Sequence, residues 1–259
     1  MIKKIKNILN RQGSAKKCSV CGNSMAYFED IENHKKNKSE FLKKLDVVGM
    51  QTTNFRCVFC GSNNRLRLLF LFFDKLELWQ TFINASILHI APESQLCRKI
   101  ISLNVGNYSV GDLNPNRYNN LSDCNIKIQE IDATDIQYPS EKFDIILFSH
   151  ILEHIPEDKK ALNELYRVLK KDGYIIIQTP YSKFLKHSFF DENIRTEEDR
   201  LYFYGLHDHV KLFSEQDLIK SITDAGFLPK IKKTTDYFSE AEMLSYGLER
   251  NEDLLMFTK

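Results

Sequence analysis

The sequence predicts an α/β protein with a doubly wound, mostly parallel sheet and a small N-terminal module. Two observations carry this prediction. From Ile87 onward, short apolar strands alternate with amphipathic helices, which indicates repeated βαβ units. Before that point, residues 1–64 are polar, basic and rich in Asn and Lys, and they contain four of the six cysteines. We therefore predict two domains, at residues 1–80 and 81–259.

The composition is ordinary for a soluble globular protein, with 42% hydrophobic and 27% charged residues among 259. No apolar run approaches the ~20 residues that a membrane-spanning helix needs. The N-terminus, MIKKIKNILN, lacks the apolar region and the cleavage site of a secretory signal. These features favour a cytoplasmic protein that does not insert into a membrane.

Charge is distributed unevenly along the chain. Residues 1–67 carry 14 Lys and Arg against 5 Asp and Glu, a net charge of +9, while the remainder carries −8. This asymmetry predicts two parts with different surfaces. Nucleic acid, a phosphorylated substrate and the acidic body itself are the anionic partners open to the basic head.

Two cysteine pairs predict a metal site in the N-terminal domain. CSVCGNS and CVFCGSN are C-x-x-C-G knuckles separated by 35 residues, and the glycine after each pair permits a tight turn. Four thiolates satisfy tetrahedral Zn²⁺ without an open position, which makes the site structural. In a chain without a secretory signal, metal is favoured over disulfides, free thiols or a redox pair. The predicted zinc ligands are Cys18, Cys21, Cys57 and Cys60.

The elements can be predicted in chain order. Residues 65–84 are too densely apolar for a surface helix, and they predict a helix packed between two parts. Four strands follow: ILHIA from Ile87, NYSVGDL from Asn107, IKIQEIDA from Ile126 and FDIILFS from Phe143.

The second half of the α/β pattern has clearer helix ends. A helix over Asp158–Lys170 has one apolar face, and Gly173 is predicted as its C′ stop. YIIIQTP is then a buried strand. FSEQDLIKSITDAGF predicts a helix that begins with a capping box of Ser214 and Asp217 and ends at Gly226.

Polar residues follow the predicted strands where the carboxyl ends of a parallel sheet meet. Ligands of doubly wound sheets bind at this edge. A nucleoside would need a carboxylate for its ribose after the second strand, where Asp112 stands, and a polar group near its base, where Asp132 stands. The fourth strand delivers Ser149 and His150 to the same edge. The alternatives are a loop-capping role for Asp112 and an Asx turn at Asp132.

The order of these segments, across residues 85–259, resembles that of class I S-adenosylmethionine-dependent methyltransferases. The run from Phe143 to Pro180 is especially similar to the central segment of that superfamily. HIAPE, from His89, resembles a variant first motif of bacterial methyltransferases that also carry an N-terminal zinc knuckle pair. HDHVKLFSEQDL, from His207, is similar to a segment of methyltransferases that modify glycans or surface polysaccharides.

The resemblance implies a Rossmann-like methyltransferase sheet with a small zinc-ribbon-like module, and S-adenosylmethionine as the cofactor. It implies cofactor-binding roles for residues of the first motif and of the strand ends, namely His89, Ala91, Glu93, Asp112, Leu113, Asp132, Ala133, Ser149 and His150.

The first motif departs from the usual acidic-x-Gly-x-Gly-x-Gly pattern of that family. His89 replaces the acidic residue, Ala91 the first glycine, and Glu93 stands near the second. Because S-adenosylmethionine has no pyrophosphate to cradle, we interpret ILHIAPES as a cofactor turn with altered chemistry. Glu93 would then face the ribose or the methionine amino group. The alternative is a structural turn in which Pro92 fixes φ.

HILEH, from His150 to His154, also fits H-x-x-E-H, the inverted zinc-protease signature. Pro156 follows closely, which is poor context for a long metal-bearing helix. The methyltransferase order is therefore favoured. In that interpretation His154 is either a structural residue or part of the acceptor-binding wall.

Methyl transfer to a hydroxyl or amine needs a base, and histidine suits this role near neutral pH. The candidates are His150, His207 and His209, with Asp208 placed to orient a neighbouring imidazole. The alternative is that the residues around Asp208 tie a loop to the sheet.

Tyr181, together with His154 and Asp208, is predicted to bind the acceptor. The aromatic and charged segment Ser182–Gly205 is either a substrate lid or a packing insertion.

Three functions compete. The favoured one is a methyltransferase for a small-molecule, sugar or surface-glycan acceptor. The second is an RNA methyltransferase that holds its substrate with the basic head, favoured by Arg65 and Arg67 but opposed by the scarcity of interleaved aromatic residues. The third is a non-enzymatic binding module on a degenerate methyltransferase fold.

Overall fold

The computed structural model describes residues 13–31, 39–118, 121 and 126–259. The segment MIKKIKNILN and residues 32–38, which carry much of the basic charge of the head, lie outside the described residues. The chain divides into two compact units. The smaller unit comprises residues 50–78, 232–253 and the described part of 1–37; the larger comprises 79–231, 254–259 and the described part of 38–49. In this division, the described part of residues 38–49 belongs to the larger unit and residues 232–253 to the smaller one, whereas the predicted domains meet at residue 80.

The described elements are short in the N-terminal part and longer in the α/β part. The strands are β1 (Lys16–Lys17), β2 (Ser24–Met25), β3 (Val47–Val48), β4 (Ser86–Ile90), β5 (Asn107–Asp112), β6 (Gln129–Glu130), β7 (Phe143–Ser149), β8 (Leu169–Gln178), β9 (Tyr181–Ser182), β10 (Phe213–Ser214), β11 (Leu228–Pro229) and β12 (Met256–Thr258). The α-helices are α1 (Glu40–Leu45), α2 (Asn64–Lys75), α3 (Leu78–Phe82), α4 (Ser94–Ile101), α5 (Asp158–Val168), α6 (Glu197–Tyr204), α7 (Glu215–Asp224), α8 (Thr234–Tyr237) and α9 (Glu240–Tyr246).

The larger unit is built on a seven-stranded sheet of order β11-β12-β8-β7-β4-β5-β6. The strands from β6 to β8 run parallel, while β12 is antiparallel to both of its neighbours. The chain enters at β4, winds outward through β5 and β6, and returns to β7 on the other side of β4. This reversal is the topological switch point at which doubly wound sheets bind ligands. The predicted fold class is confirmed.

The core of the larger unit lies on the central strands, whose apolar side chains are almost completely buried. Leu88, Ile146 and Ile175, from β4, β7 and β8, are 0% exposed. Their strands read as continuous apolar runs, which is typical of parallel strands covered on both faces. Among the described residues, no helix is long and apolar enough to cross a membrane.

The prediction of one continuous helix over residues 65–84 is wrong. Two helices, α2 and α3, occupy the segment, because Glu77 adopts a left-handed backbone conformation (φ 54°) that interrupts the helical path. The dense apolar pattern did indicate burial correctly: eight of the twelve residues of α2 are buried.

The predicted stop of α5 at Gly173 is also wrong. The helix ends at Val168, and Leu169 already pairs with Phe143 of β7, so the sheet takes up the chain earlier. Gly173 lies within β8, where an added Cβ would come within 2.9 Å of the Asp144 carbonyl oxygen. The glycine therefore permits close strand approach instead of ending a helix.

The third predicted strand, IKIQEIDA, is reduced to the two residues of β6. It pairs only with Gly111 and Asp112 at the edge of the sheet. Short edge strands limit unwanted pairing with other chains.

At the start of α7, the predicted capping serine is confirmed, but the full capping box is not formed. The Ser214 hydroxyl oxygen accepts from the Asp217 backbone N–H at 3.1 Å, as an N-cap should. The Asp217 carboxylate, however, accepts from the backbone N–H of Ser188 at 2.6 Å. This competing donor replaces the reciprocal bond of a full capping box. Gly226, in a left-handed conformation (φ 107°), ends the helix region as predicted.

The smaller unit is held together around Arg67, whose side chain is completely buried. Its guanidinium donates to the carbonyls of Phe55 and Ser62 at 3.1 and 3.2 Å, to Tyr246 at 3.0 Å and also to Asn54. These bonds join the second cysteine knuckle to the end of α9. Further stabilisation comes from Phe28, whose ring centroid lies 3.7 Å from the guanidinium carbon.

Candidate cofactor crevice and cysteine cluster

A crevice of about 370 Å³ opens at the carboxyl ends of the central strands of the larger unit. This is the size range of small-molecule sites. It brings together eight of the predicted site residues, which are Ala91, Asp112, Leu113, Asp132, Ala133, His150, His154 and Asp208.

Asp112 ends β5 with its carboxylate at the crevice, only 6% exposed. One oxygen accepts from the Asn114 backbone N–H at 2.7 Å, and the other accepts from the Tyr118 hydroxyl at 2.6 Å. Asp112 therefore both caps its loop and faces the crevice. Tyr118 also lines the crevice; sequence reasoning missed it, because nothing in the spacing of PNRY marks this tyrosine.

The turn after β4 adopts the conformation that a glycine usually supplies. Ala91 has φ 52°, and its backbone N–H donates to the Gly111 carbonyl at 2.9 Å. His150, at the end of the adjacent strand β7, has φ 55°. Left-handed backbone costs a non-glycine residue roughly 1–2 kcal/mol, and such strain concentrates at functional sites. Both strained residues line the crevice.

His89 and Glu93 form a hydrogen-bonded pair beside this turn. His89 is 1% exposed, and its ring nitrogens lie 2.8 Å from the Tyr108 hydroxyl and 3.0 Å from a Glu93 carboxylate oxygen. Partial burial disfavours the Glu93 carboxylate, but the bond from His89 outweighs this and lowers the pKa of Glu93. The described crevice lining includes neither His89 nor Glu93, and the two predicted cofactor residues are bonded to each other instead.

Asp132 and Ala133 lie on the crevice wall after β6. One Asp132 carboxylate oxygen accepts from both the backbone N–H and the hydroxyl of Thr134, each at 2.8 Å. The Asx turn considered as an alternative is therefore present at a residue that also lines the crevice. Ser149, 8% exposed, ends β7 immediately before His150.

The three candidate bases occupy different environments. His150 lies at the crevice with its Nδ1 3.4 Å from a Glu153 carboxylate oxygen. His209 is 2% exposed with its Nδ1 3.1 Å from the Tyr204 carbonyl oxygen, and burial lowers its pKa. His207 is exposed. Of the three, only His150 lines the described crevice.

Glu153 is a charged residue that sequence reasoning noted only as part of the protease signature. It is 1% exposed, and its second carboxylate oxygen accepts from the Thr179 hydroxyl at 2.7 Å. Burial opposes its ionisation, but the hydrogen bond to His150 and the nearby imidazoles outweigh burial and lower its pKa to about 2. Glu153 is therefore a carboxylate at neutral pH.

The protease geometry itself is not formed. Leu152–His154 is a single 3₁₀ turn, and Ile155 is extended, so His150 and His154 do not share a helical face. This outcome agrees with the expectation from Pro156.

The comparisons with known proteins agree with this architecture. Residues 88–177 match the family described as "Methyltransferase domain". The matched domain runs from β4 to the end of β8 and includes the crevice residues from Ala91 to His154.

Two curated relatives show what this domain is similar to. The chain is 28% identical over 116 residues to ubiquinone/menaquinone biosynthesis C-methyltransferase UbiE of Pseudoalteromonas translucida (strain TAC 125), covering 40% of this chain and 46% of that protein. It is 30% identical over 133 residues to probable tocopherol O-methyltransferase, chloroplastic, of Oryza sativa subsp. japonica, covering 51% and 31%. The chain thus spans less than half the length of either relative.

A solved structure extends the similarity of fold beyond the domain. The S-adenosylmethionine-dependent methyltransferase from Mesorhizobium loti matches with a TM-score of 0.55 at 13% identity, covering 73% of this chain and 98% of that one. The larger unit therefore has the Rossmann-like methyltransferase fold.

Tyr181 and the predicted lid segment follow the matched domain in the sequence. Tyr181 of β9 is 2% exposed and is not among the described lining residues. β9 pairs with β10 and β3 in a three-stranded sheet. Within the predicted lid, Phe189 and Phe203 pack on Phe41 of α1 with ring centroids 5.8 and 5.6 Å apart. The Ser182–Gly205 segment thus has a packing role, and a lid role stays a prediction.

Four cysteines cluster in the smaller unit, before the matched domain in the sequence. The Sγ atoms of Cys18 and Cys60 are 3.7 Å apart, and those of Cys21 and Cys57 are 3.8 Å apart. All four lie within 4.8 Å of one another. Four sulfurs at ~2.3 Å around one tetrahedral Zn²⁺ would be roughly 3.8 Å apart, whereas a disulfide needs about 2.05 Å.

The two knuckles have the same backbone, as their matching sequences predict. Gly22 and Gly61 both have φ 73°. Each donates its N–H to the carbonyl of the first cysteine of its knuckle, Cys18 at 2.8 Å and Cys57 at 3.0 Å. The tight turn predicted at the glycine after each second cysteine is therefore present in both knuckles, with a left-handed glycine.

Proposed function

We propose that this chain is an S-adenosylmethionine-dependent methyltransferase with a small-molecule, sugar or surface-glycan acceptor. One observation carries the proposal. The crevice at the switch point of a methyltransferase fold presents the Asp112 carboxylate from β5 and the His150 imidazole from the end of β7 to the same space. The first group suits a ribose, and the second suits proton transfer.

The donor set of the crevice fits the cofactor. Asp112 already accepts two hydrogen bonds, from an N–H and from the Tyr118 hydroxyl. The ribose hydroxyls are donors of the same kind, so they can take the place of Tyr118. Asp132 and Ala133 would contact the adenine, while Ala91, Glu93 and Leu113 would lie along the ribose and methionine part. When bound, the cofactor supplies a methyl carbon that is already strongly electrophilic.

His150 is the proposed base. The Glu153 carboxylate facing Nδ1 favours the tautomer with its proton on Nδ1, which leaves Nε2 to accept a proton. A side chain at Gly49 would contact this ring, 3.5 Å from its Cε1 atom. Gly49, directly after β3, therefore lies against the His150 ring. The chain's own contribution is to orient the acceptor and remove its proton.

The acceptor class rests on the resemblance of HDHVKLFSEQDL to glycan-modifying methyltransferases. The two relatives are named for C- and O-methylation, so they leave the acceptor atom open. The RNA alternative loses one of its supports, because Arg67 is buried and donates to backbone carbonyls of its own unit. We therefore keep the small-molecule or glycan acceptor.

We also propose that Cys18, Cys21, Cys57 and Cys60 bind one structural Zn²⁺. The support is the sulfur spacing and the closed set of four thiolates, which leaves no coordination position for a substrate.

Calorimetry with S-adenosylhomocysteine tests the cofactor site. We expect the intact chain to bind, and Asp112→Asn to weaken binding by about tenfold to 100-fold, because a hydrogen bond to a charged acceptor contributes ~1.5–3 kcal/mol. Asp172→Asn, at an exposed carboxylate, is the matched control and should bind like the wild type. Absence of binding by the wild type, or equal affinity in Asp112→Asn, would contradict the proposal.

A further inference from the structure

Three side chains lie close together beside the crevice, and the proposed mechanism uses only Glu153 among them, to orient His150. Glu153 and His154 come from the 3₁₀ turn after β7, and His209 comes from the loop before β10. One potential ligand atom from each lies within 4.8 Å of the others. His154 lines the crevice, while the side chains of Glu153 and His209 are 2% and 3% exposed. Two imidazoles and one carboxylate are thus gathered where a crevice reaches the protein interior.

The outer nitrogens of both imidazoles are already bonded. His209 Nδ1 lies 3.1 Å from the Tyr204 carbonyl oxygen, and His154 Nδ1 lies 3.3 Å from the Asp208 carbonyl oxygen. A carbonyl can only accept, so each Nδ1 carries the proton in these bonds. Each Nε2 then presents a lone pair. Metal-binding histidines are held in the same way, with the second ring nitrogen donating to an oxygen.

The distances between the potential ligand atoms of Glu153, His154 and His209 are close to those of a metal site. His209 Nε2 lies 3.8 Å from a Glu153 carboxylate oxygen, which is more than hydrogen-bond distance. Three donors held at ~2.1 Å from one cation lie roughly 3–3.5 Å apart. A closure of about an ångström would bring the three ligands into this range.

We propose that Glu153, His154 and His209 form a second metal site, which binds a divalent first-row transition-metal cation at the crevice wall. Two imidazoles and a carboxylate suit Zn²⁺, Fe²⁺ or Co²⁺, and three protein ligands leave positions open. This site therefore differs from the closed cysteine cluster.

The open positions indicate what the cation does, and this part rests on the proposed methyl transfer. An acceptor hydroxyl oxygen held at an open position would lose its proton more readily. With a metal at this site, the proposed acceptors are molecules that carry a hydroxyl oxygen able to bind the metal. A catechol or sugar diol, with two adjacent oxygens, would occupy two open positions.

Titration with Co²⁺ tests the site in the intact chain with zinc loaded in the cysteine cluster. Calorimetry gives the affinity, and the visible spectrum identifies the ligands, because thiolate ligation adds intense charge-transfer bands that nitrogen and oxygen ligands lack. We expect one Co²⁺ per chain with weak d–d bands only. His154→Ala should weaken Co²⁺ binding by at least about tenfold. In metal sites generally, changing even a residue that only supports a ligand costs about 10- to 100-fold in metal affinity. Glu153→Gln should have the same effect.

The controls separate this proposal from accidental binding and from misfolding. His187→Ala removes a side chain that is 86% exposed, and it should bind Co²⁺ like the wild type. Urea unfolding of His154→Ala, whose side chain is 31% exposed, reports that the fold is intact, and S-adenosylhomocysteine binding by the wild type reports on the proposed function.

Each outcome decides the proposal. Absence of Co²⁺ binding, equal binding by His154→Ala, or spectra with thiolate bands alone would overturn it. Co²⁺ binding without S-adenosylhomocysteine binding would keep the metal site and reject the proposed function, so the two failures are distinguishable.

Discussion

The cysteine cluster and the crevice differ in how their side chains are brought together. In the cluster, two nearly identical knuckles supply all four sulfurs, and the same left-handed glycine follows each pair. In the crevice, the polar residues come from the ends of separate strands and from loops, and Asp112 is bonded there to the Tyr118 hydroxyl.

This difference has a physical origin. A closed tetrahedral site needs only fixed ligands at fixed spacing, so a short motif specifies it. A binding crevice must stay open, so its residues are positioned by the sheet and its switch point. We therefore expect substitutions in the cluster to change stability, and substitutions in the crevice mainly to change binding.

Removing one sulfur from the cluster should have the largest effect. With Cys18→Ser, the proposed zinc loses one of four ligands; structural zinc contributes ~10–16 kcal/mol of apparent binding free energy in small domains. We expect loss of the zinc retained after dialysis against a chelator, and faster hydrogen exchange in residues 13–31. Cys97→Ala, at a buried cysteine of the larger unit, should retain the zinc. Unchanged zinc in Cys18→Ser would contradict the closed site.

Arg67→Met should be the next most damaging change. It leaves buried carbonyl acceptors of the smaller unit, among them Phe55 and Ser62, without their donor. We expect a loss of about 3–5 kcal/mol in the free energy of unfolding, measured with urea. The exposed Arg56→Met should change it by less than about 0.5 kcal/mol. Similar values for the two variants would show that Arg67 does not hold the unit together.

The strained turn of the crevice gives an intermediate effect. A β-branched side chain fits left-handed backbone poorly, so Ala91→Val should destabilise the chain by about 1–2 kcal/mol, whereas Ala91→Gly should stabilise it by up to about 1 kcal/mol. Chemical denaturation of both variants checks the signs. Stabilisation by valine would mean that the φ of 52° is not adopted.

Tyr118→Phe sharpens the comparison, because it should alter binding and leave the fold alone. The phenol bonded to Asp112 at 2.6 Å must yield to the ribose, so its removal should leave S-adenosylhomocysteine affinity unchanged or up to about fivefold tighter. Tyr138→Phe, which removes a hydroxyl bonded to Gln129, is the control. A loss of affinity beyond tenfold would show that the Tyr118 hydroxyl contacts the ligand.

The smallest effect is a pH dependence away from both sites. Partial burial opposes ionisation of Asp144, but hydrogen bonds from Lys170 and the Ser86 N–H outweigh it and lower its pKa from 3.8. Its stabilisation is therefore present above pH ~4 and is lost as pH falls through the lower, folded value. Asp144→Asn should cost about 0.5–1 kcal/mol at pH 7, since the pair is 40% exposed. This loss of unfolding free energy should become smaller as the pH falls. Asp172→Asn is the control and should show no loss at any pH. A loss in Asp144→Asn that does not change with pH would contradict the role of the ionised Asp144 carboxylate.

The outcome for individual residues shows what could be read from the sequence. Strands β4, β5 and β7 and the capping serine of α7 were predicted because periodicity and local hydrogen bonding decide them. Gly173 was misassigned because strand pairing with β7, a tertiary contact, ends α5 earlier than its own pattern does.

The crevice was predictable at the strand ends and not in the loops. Asp112, Asp132 and His150 follow strands, so topology places them. Tyr118 and the contact of His209 with Glu153 depend on loop paths that no periodic pattern encodes. HILEH places Glu153 between two histidines, but only the fold shows that His209, some 55 residues later, lies beside it.

A crystal structure of the chain with S-adenosylhomocysteine tests the central claim most directly. The account predicts the nucleoside in the crevice, its ribose hydroxyls bonded to Asp112 in place of Tyr118, and its sulfur directed toward His150. A nucleoside bound elsewhere, or a crevice in which Asp112 still holds the Tyr118 hydroxyl at full ligand occupancy, would contradict it.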